Sequence, residues 1–260
     1  IDQGLLETQS SFKENFWDIL PIEKINLSND IITVDGIENA NFLKGEEKAA
    51  KTIQKHSMQI EGRQQNPKIA DAYLLLGKAR YLDQRFVPAL DAFNQVYKQK
   101  LINEQWQLSV IWKAKSNIRL EQENLAIELL KGLLKQENLS KSNKAYASAT
   151  LAMAYLQLKK INKAIKPLKT AVELEQNKNN KVRYLFILGQ LLEKESKIDS
   201  SNTIFKEIAD YKRKIPREFF VNAKLKTLVY DTIKIKEKES QIIKMIDNYE
   251  NEDFLDKIYS

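Results

Sequence analysis

The stretch that decides the fold runs from Asp71 to Val96 and reads DAYLLLGKARYLDQRFVPALDAFNQV. It matches the tetratricopeptide template, in which a large residue, a Leu-Gly pair, a small alanine and an aromatic residue stand at fixed offsets along two antiparallel helices. Five residues fill these positions without a gap: Tyr73, Leu76, Gly77, Ala89 and Phe93. The stretch therefore predicts a hairpin of two packed α-helices.

The small residues of this pattern allow the two helices to pack closely. Two helices approach closely only where one of them presents a small side chain, and larger side chains fill the space on either side. We expect Gly77 and Ala89 to be these contact points, with leucine and phenylalanine packed around them.

The same pattern recurs at a nearly constant spacing. Ala126 lies 37 residues after Ala89, Ala164 lies 38 residues further on, and Ser201 follows after another 37. The matching positions around them are Ala114, Leu130 and Leu133 in the second copy, Leu151, Ala152, Tyr155, Leu168 and Ala171 in the third, and Leu188, Gly189, Leu192, Phe205 and Ile208 in the fourth. Four copies predict an all-α, tetratricopeptide-like α-solenoid of helical hairpins.

The chain outside these copies follows the pattern less closely, as terminal repeats usually do. NFLKGEEKAAKTIQKHSM predicts a capping helix, and EFFVNAKLKTLVYDTI with SQIIKMIDNYE predicts a degenerate last hairpin. The first forty residues contain FWDILP and the β-leaning IITVDG, and we expect an irregular segment packed along the array. The predicted organisation is thus a segment at 1–40 and an array at 41–260, with a capping helix at 41–58, repeats at about 69–100, 107–137, 145–176 and 182–212, and a last hairpin at 217–250.

Composition agrees with a helical protein that binds other proteins. Seven glycines and five prolines leave little turn chemistry for β-sheets. The net charge of +7 comes from 35 lysines and only 7 arginines, with 35 acidic residues interspersed. Sites that read phosphates or bases favour the planar guanidinium group of arginine, so we expect no nucleic-acid partner.

The pattern of polar residues indicates no catalytic site, no metal site and no cofactor. The chain has one histidine, His56, and no cysteine, so the usual ligands and nucleophiles have no partners in sequence. The glycines do not form a phosphate-binding loop, because Gly77 and Gly189 are already explained by the repeat. We therefore expect a protein that is not an enzyme.

One basic series stands out around the third hairpin. Lys159, Lys160, Lys163, Lys166 and Lys169 recur at helical spacing, and they either form a solvated face or contact an acidic partner or lipid headgroups. Pro167 lies in the same helix and removes one backbone donor.

The inner face of a stacked array is lined by the first helix of each hairpin, which makes it the expected binding surface. The alternative is that several of these side chains pack on the N-terminal segment. The candidate partner-binding residues are Leu74, Lys78, Tyr81, Ile111, Lys115, Ile118, Met153, Leu156, Phe186 and Gln190, together with Ala149 and Glu193 at equivalent positions.

Three strings point beyond the general fold: FWDILPIEKI, KAAKTIQKHSM and NPKIADAYLLLGKARYLDQRFVPALDAFN. They resemble the SprE/PorW proteins of Bacteroidota, and the resemblance covers most of the chain. It implies a large outer-membrane lipoprotein facing the periplasm, in which these residues are one portion and the lipid anchor lies elsewhere. The partners implied are subunits of the type IX secretion translocon and of the gliding motility apparatus.

Two functions follow as competing hypotheses. The first is a scaffold that links the outer-membrane translocon to other envelope components. The second is a peptide-binding adaptor or co-chaperone. An adaptor needs an open concave channel, whereas the groove of a scaffold can be filled by its own N-terminal segment.

Overall fold

The computed structural model describes residues 1–10, 13–25, 36–61, 63–98, 104–232 and 234–259. Within these ranges the chain forms thirteen α-helices, two short 3-10 helices and one two-stranded hairpin, so the predicted all-α solenoid is confirmed. The β-leaning residues 31–35 lie outside the described ranges. The only described strands, β1 (Gln59–Ile60) and β2 (Arg63–Gln64), form a short antiparallel pair just after the capping helix.

The helices follow one another as antiparallel neighbours. After α1 (Asp2–Ser10) and the capping helix α2 (Ala40–His56), four successive pairs follow: α3 (Lys68–Leu82) with α4 (Phe86–Tyr97), α5 (Glu104–Arg119) with α6 (Glu123–Leu134), α7 (Lys141–Gln157) with α8 (Ile161–Leu174), and α9 (Lys178–Lys194) with α10 (Ile198–Asp210). The last two long helices, α11 (Arg217–Tyr230) and α12 (Ile235–Ile246), contact each other less closely than these pairs do. A 3-10 turn at Tyr249–Phe254 and α13 (Leu255–Tyr259) complete an apolar cluster with α11 and α12.

The close helix contacts occur where the repeat pattern predicts them. A Cβ atom on Gly77 would lie 2.3 Å from the ring of Phe93, and one on Gly189 would lie 2.8 Å from the ring of Phe205. Both rings are fully buried. In the fourth hairpin the Ser201 hydroxyl also donates a hydrogen bond of 2.9 Å to the carbonyl of Gly189. The absence of a side chain at these glycines therefore lets the aromatic ring of the second helix rest on the backbone of the first.

The turns inside the four hairpins share one backbone conformation. Gln84, Glu121, Lys159 and Ser196 have positive φ values of 64°, 60°, 56° and 58°, at the same spacing as the repeat. In each turn the next amide donates to a carbonyl five residues back, as from Arg85 to Arg80 at 2.9 Å. This is the Schellman arrangement, which satisfies carbonyls at the end of a helix. The repeat thus extends from the core to the turns, although none of the four left-handed residues is glycine.

The connections between hairpins are shorter than the polar stretches KQENLSKSNK and EQNKNNK, which read as turns in the sequence. Ser140 accepts a hydrogen bond from the amide of Asn143, and Asn177 accepts bonds from the amides of Asn179 and Asn180. These contacts cap α7 and α9, because a serine or asparagine oxygen satisfies the free amides of a first helical turn. The last four residues of both KQENLSKSNK and EQNKNNK therefore belong to helices.

The prediction that the N-terminal region is irregular is correct only in part. Residues 13–25 form no helix or strand, as predicted, but Asp2–Ser10 form α1, which packs against α2. α1 fits there because Gly4 allows close contact: a Cβ atom at this position would lie 2.6 Å from the ring of Phe42. None of the helices in the described residues is both long and apolar enough to span a membrane.

We predict that the glycine of the first repeat is required by packing and not by backbone conformation. Gly77→Ala should lower the free energy of unfolding by about 2 kcal/mol, because overpacking of a buried ring outweighs the better helix propensity of alanine. Gly132→Ala in α6 is the matched control, since a Cβ atom there meets nothing within 4 Å. It should raise stability by about 0.5 to 1 kcal/mol. Urea denaturation measures both, and equal effects would contradict the packing explanation.

Candidate functional site

The concave groove of the array is the expected binding surface, and residues 13–25, here called the N-terminal strap, occupy it. The strap contacts the first helix of the last two hairpins near Phe16 and reaches α3 and α5 at Glu23. It therefore runs antiparallel to the order of the repeats. Leu20 and Ile22, between these ends, belong to the same hydrophobic core as the helices of the array.

Aromatic packing fixes the first end of the strap. Phe16 is 3% exposed and meets the rings of Phe186 and Phe219 edge to face, at centroid distances of 5.1 and 5.2 Å. Trp17 stays half exposed, with the Lys226 ammonium 4.4 Å from its ring centre. Edge-to-face ring pairs add specificity to the burial of apolar area, so this end of the strap is bound as a defined side-chain contact.

The backbone of the strap is held by one glutamine. The amide nitrogen of Gln190 donates to the carbonyl of Phe16 at 2.9 Å and also to the carbonyl of Asp18, and its oxygen accepts from the amide of Leu20 at 3.0 Å. Gln190 is itself buried. A buried amide that uses both its donor and its acceptor on main-chain groups replaces the hydrogen bonds that the strap would otherwise make with water.

Two carboxylates of the strap meet basic residues of the groove. The guanidinium of Arg183 binds Glu14 through two nitrogens, and its Nε donates to the carbonyl of Pro21 at 3.0 Å. This two-point arrangement is the geometry in which arginine binds carboxylates most strongly. Arg183 thus connects two parts of the strap that are seven residues apart.

The second carboxylate, Glu23, is the centre of a buried polar cluster. Lys115 forms an ion pair with it, the Tyr81 hydroxyl donates to it at 2.7 Å, and Arg119 donates to it at 3.1 Å. The Lys115 ammonium also donates to the Tyr146 hydroxyl at 2.7 Å and lies 3.6 Å from the ring centre of Trp112. Every charge in this cluster therefore has a partner of opposite charge or a polar neighbour.

Electrostatics within the cluster favour the ionised carboxylate. Burial opposes ionisation of Glu23, but the positive charges of Lys115 and Arg119 outweigh it, so the pKa of Glu23 lies below its ordinary value. Burial also lowers the pKa of Lys115 to about 8, although Glu23 partly offsets this effect. The carboxylate of Glu23 therefore favours the charged form of Lys115 and opposes the effect of burial.

Ten residues of the inner face were expected to be exposed for partner binding. Eight of them are buried, so this expectation is wrong for them. Lys78 and Leu156 are partly exposed, whereas the buried residues are Leu74, Tyr81, Ile111, Lys115, Ile118, Met153, Phe186 and Gln190. The physical reason is that the strap, α1 and neighbouring helices cover the inner face, so Tyr81, Lys115, Phe186 and Gln190 bind the chain itself. The alternative, that groove residues pack on the N-terminal segment, is the arrangement observed.

Several residues of this site were not predicted from the sequence. Glu14, Glu23, Arg119 and Arg183 carry charges of this site, yet they are 38 to 169 residues from the groups they bind. One available signal was that Lys115 and Arg119 stand four residues apart on the predicted inner face. Two basic groups on one helix face predict an acidic partner, but they do not reveal that the partner lies in the same chain.

The other polar residues considered in the sequence lie away from the strap. His56 is exposed in the last turn of α2, where its carbonyl accepts a bond of 3.0 Å from Asn66. Within the described ranges, no group of three or more His, Asp or Glu side chains lies together as a metal site would require. The five lysines from Lys159 to Lys169 are all exposed, and Pro167 lies inside α8.

The fold and the groove define a class of protein: a tetratricopeptide-like α-solenoid whose concave face holds a segment of its own chain. No protein-family model matches the chain, and no curated protein matches it.

We predict that the Glu23 carboxylate stabilises the fold because it neutralises Lys115. Glu23→Gln should lower the free energy of unfolding by about 3 kcal/mol, since it leaves Lys115 buried without a counter-charge. Adding Lys115→Met to this variant should restore part of the loss, because it removes the fully buried ammonium and leaves only the partly exposed Arg119 without its carboxylate partner. Chemical denaturation measures the cycle, and hydrogen exchange at the Leu20 amide reports whether the strap detaches.

Glu47→Gln serves as the control for this cycle, since Glu47 pairs with Lys51 on the exposed surface of α2. It should leave stability unchanged within error. If Glu23→Gln were equally neutral, the strap would not be held by its charges.

We also predict a pH dependence with a definite sign. The pKa of Glu23 is lower in the folded protein than its ordinary value of 4.5, so the unfolded chain takes up the proton first as pH falls. The stabilisation is complete above about 4.5 and is lost as pH falls through the folded pKa. The stability difference between the wild type and Glu23→Gln should therefore shrink below this pH. Denaturation between pH 7 and 3 measures it, and a difference that grows on acidification would contradict the assignment.

Proposed function

We propose that this protein is a non-catalytic scaffold for protein–protein interaction in a bacterial cell-envelope machine. The observation that carries the proposal is the strap, which occupies the concave groove with two bound carboxylates, a buried aromatic ring and a backbone clamp. A space of ≈ 800 Å³ stays open beside the strap and α1, but the groups of the groove that bind a backbone and carboxylates are already used by the chain itself, which favours the edges and the outer face of the array for partners. This distribution of surfaces favours a scaffold over a protein that captures short peptides in its groove.

The same contacts also favour a rigid array. The strap joins α3, α5, α9 and α11, which belong to four different hairpins. In a solenoid each repeat otherwise contacts only its neighbours, so a segment that spans several repeats opposes bending between them. A fixed spacing between surface patches is useful for a component that holds other subunits in register.

The particular machine is proposed from the resemblance to SprE/PorW proteins. FWDILPIEKI, one of the strings that carry the resemblance, coincides with residues 16–25 of the strap, and another contains the first hairpin. We propose a role in type IX protein secretion and gliding motility, in which the protein links the outer-membrane translocon to other envelope components. The proposed location is the periplasmic side of the outer membrane, with membrane attachment through a lipid anchor outside these residues.

One observation favours a second function, a peptide-binding adaptor or co-chaperone. Gln190 binds the strap through main-chain atoms, and Arg183 and Lys115 bind it through carboxylates. A groove with these contacts could accept another acidic, non-helical segment if the strap left it. The two functions differ in whether release of the strap changes what the protein binds.

Co-purification of partners with the wild type and with a variant whose strap lacks the Glu23 carboxylate tests the proposal. The tagged full-length protein and its Glu23→Gln variant are purified from gently solubilised envelopes, and the bound proteins are identified by mass spectrometry. A scaffold that uses its outer surfaces should bring down the same translocon and motility subunits in both forms. The recovery of each subunit should agree within about twofold, because surfaces far from the substitution act independently.

An adaptor would give the opposite pattern. Its wild type would recover little, and Glu23→Gln would bring down many unrelated unfolded segments. That result, or recovery of nucleic acid, would overturn the scaffold proposal.

A further inference from the structure

A second groove lies on the side of the array away from the strap. It is formed between α6 and α8, with α7 as its floor, and it has a volume of ≈ 650 Å³. We call it the outer groove; its lining residues are Lys131, Leu134, Lys144, Ser148, Leu151, Tyr155, Asn162, Lys163, Lys166, Pro167 and Thr170. Leu151 and Tyr155 stand two residues to either side of Met153, which borders the strap. Two residues correspond to about 200° around a helix, so strap and outer groove use opposite faces of α7.

The floor and walls of the outer groove are apolar. Leu151 and Tyr155 are buried at its base, and Leu134 and Pro167 are partly exposed on its walls. Pro167 has no amide hydrogen to bond, so it presents a purely apolar ring to the groove. An apolar recess of this kind gains free energy when a large apolar side chain of a partner displaces its water.

The rim of the outer groove carries charge of one sign. Lys131, Lys144, Lys163 and Lys166 come from three different helices, and all four are exposed. None of them forms an ion pair with a described carboxylate, and no Asp or Glu is among the lining residues. Elsewhere on the surface, lysines such as Lys51 and Lys206 do have acidic partners. The outer groove therefore combines an apolar floor with four lysines that form no ion pair with a described residue, although Glu173 and Glu195 line the adjoining recess on the far side of Lys166.

We propose that the outer groove is a docking site for an acidic segment of a partner protein that carries large apolar side chains. The inference deepens the scaffold function proposed above and rests on it. The carboxylates of the partner would lie against the four lysines, and one or two apolar side chains would fill the space over Leu151 and Tyr155. Charge complementarity of this kind raises the association rate and selects acidic partners, while the apolar contact slows dissociation.

Shape favours a protein segment over a membrane surface. Proteins that bind at membrane surfaces insert protruding apolar side chains among the lipids. None of the large exposed hydrophobic side chains of the described residues lines the outer groove, whose apolar groups are recessed below the lysines. A flat lipid surface could reach the rim but not the floor, whereas a peptide side chain can enter.

A random peptide library tests the proposal, because it presents many acidic and apolar sequences at once. The full chain is panned against random linear dodecapeptides displayed on phage, and enriched peptides are synthesised for fluorescence anisotropy. We expect peptides with several Asp or Glu residues and at least one Leu, Ile, Phe or Trp. Replacing their acids by Asn and Gln should weaken binding, and so should added salt, which screens exposed charges.

The site is located by two charge-reversal variants with the same change in net charge. Lys163→Glu with Lys166→Glu alters the rim of the outer groove and should weaken peptide binding at least about tenfold. Lys48→Glu with Lys55→Glu alters two exposed lysines of α2 and should change it by less than about twofold. Thermal denaturation followed by circular dichroism checks that both variants remain folded.

Three results would overturn the proposal: no enrichment of acidic peptides with apolar residues, equal loss of binding in both variants, or binding to phosphatidylglycerol vesicles that depends on Lys163 and Lys166 while peptides do not bind. None of these results alters the subunits recovered from envelopes by the wild-type protein. A failure of the outer-groove proposal can therefore be distinguished from a failure of the scaffold function.

Discussion

The close approach of two helices at a small residue is the contact on which the rest of this structure depends. Where Phe93 rests on Gly77, and where Phe205 rests on Gly189, the absence of a side chain on the glycine allows the two helices of a hairpin to approach closely. Each of the four repeat hairpins, from α3–α4 to α9–α10, then turns back through one residue in the left-handed conformation. Because the same geometry recurs every 37 or 38 residues, the hairpins stack with their first helices on one side, and this creates the concave groove.

That groove brings polar and charged residues of the first helices into a confined space, and the strap supplies their partners. Lys115 illustrates the balance: burial disfavours its charge, while Glu23 and the ring of Trp112 stabilise it. A buried charge without a partner costs far more than a paired one, so the groove and the strap depend on one another. The hydrogen bonds of Gln190 to the strap backbone extend this dependence from charges to main-chain groups. The inner-face residues that were expected to bind a partner therefore stabilise the fold by binding the strap.

The two faces of the array differ in how their charged side chains are paired. On the inner face the acids of the strap meet basic residues, and the aromatic rings meet one another. On the outer face, four lysines surround an apolar recess with no acidic residue in its lining. A partner can bind these exposed lysines without breaking an existing ion pair, and this argument favours the outer groove as the proposed binding surface.

The helices of the repeats, the contacts within the hairpins and the repeat length follow from the sequence alone, because they depend on small and aromatic residues at fixed local spacing; α1 (Asp2–Ser10), which lacks this pattern, was not predicted. Gly77, Ala89 and Phe93 could be assigned from the pattern alone. Only the tertiary structure decided what lies in the groove. The strap has no periodicity, and its contacts join Glu23 to Tyr81 and Glu14 to Arg183 across 58 and 169 residues. A pattern read along the chain identifies which side chains point into a groove, but it does not distinguish a foreign ligand from a distant part of the same chain.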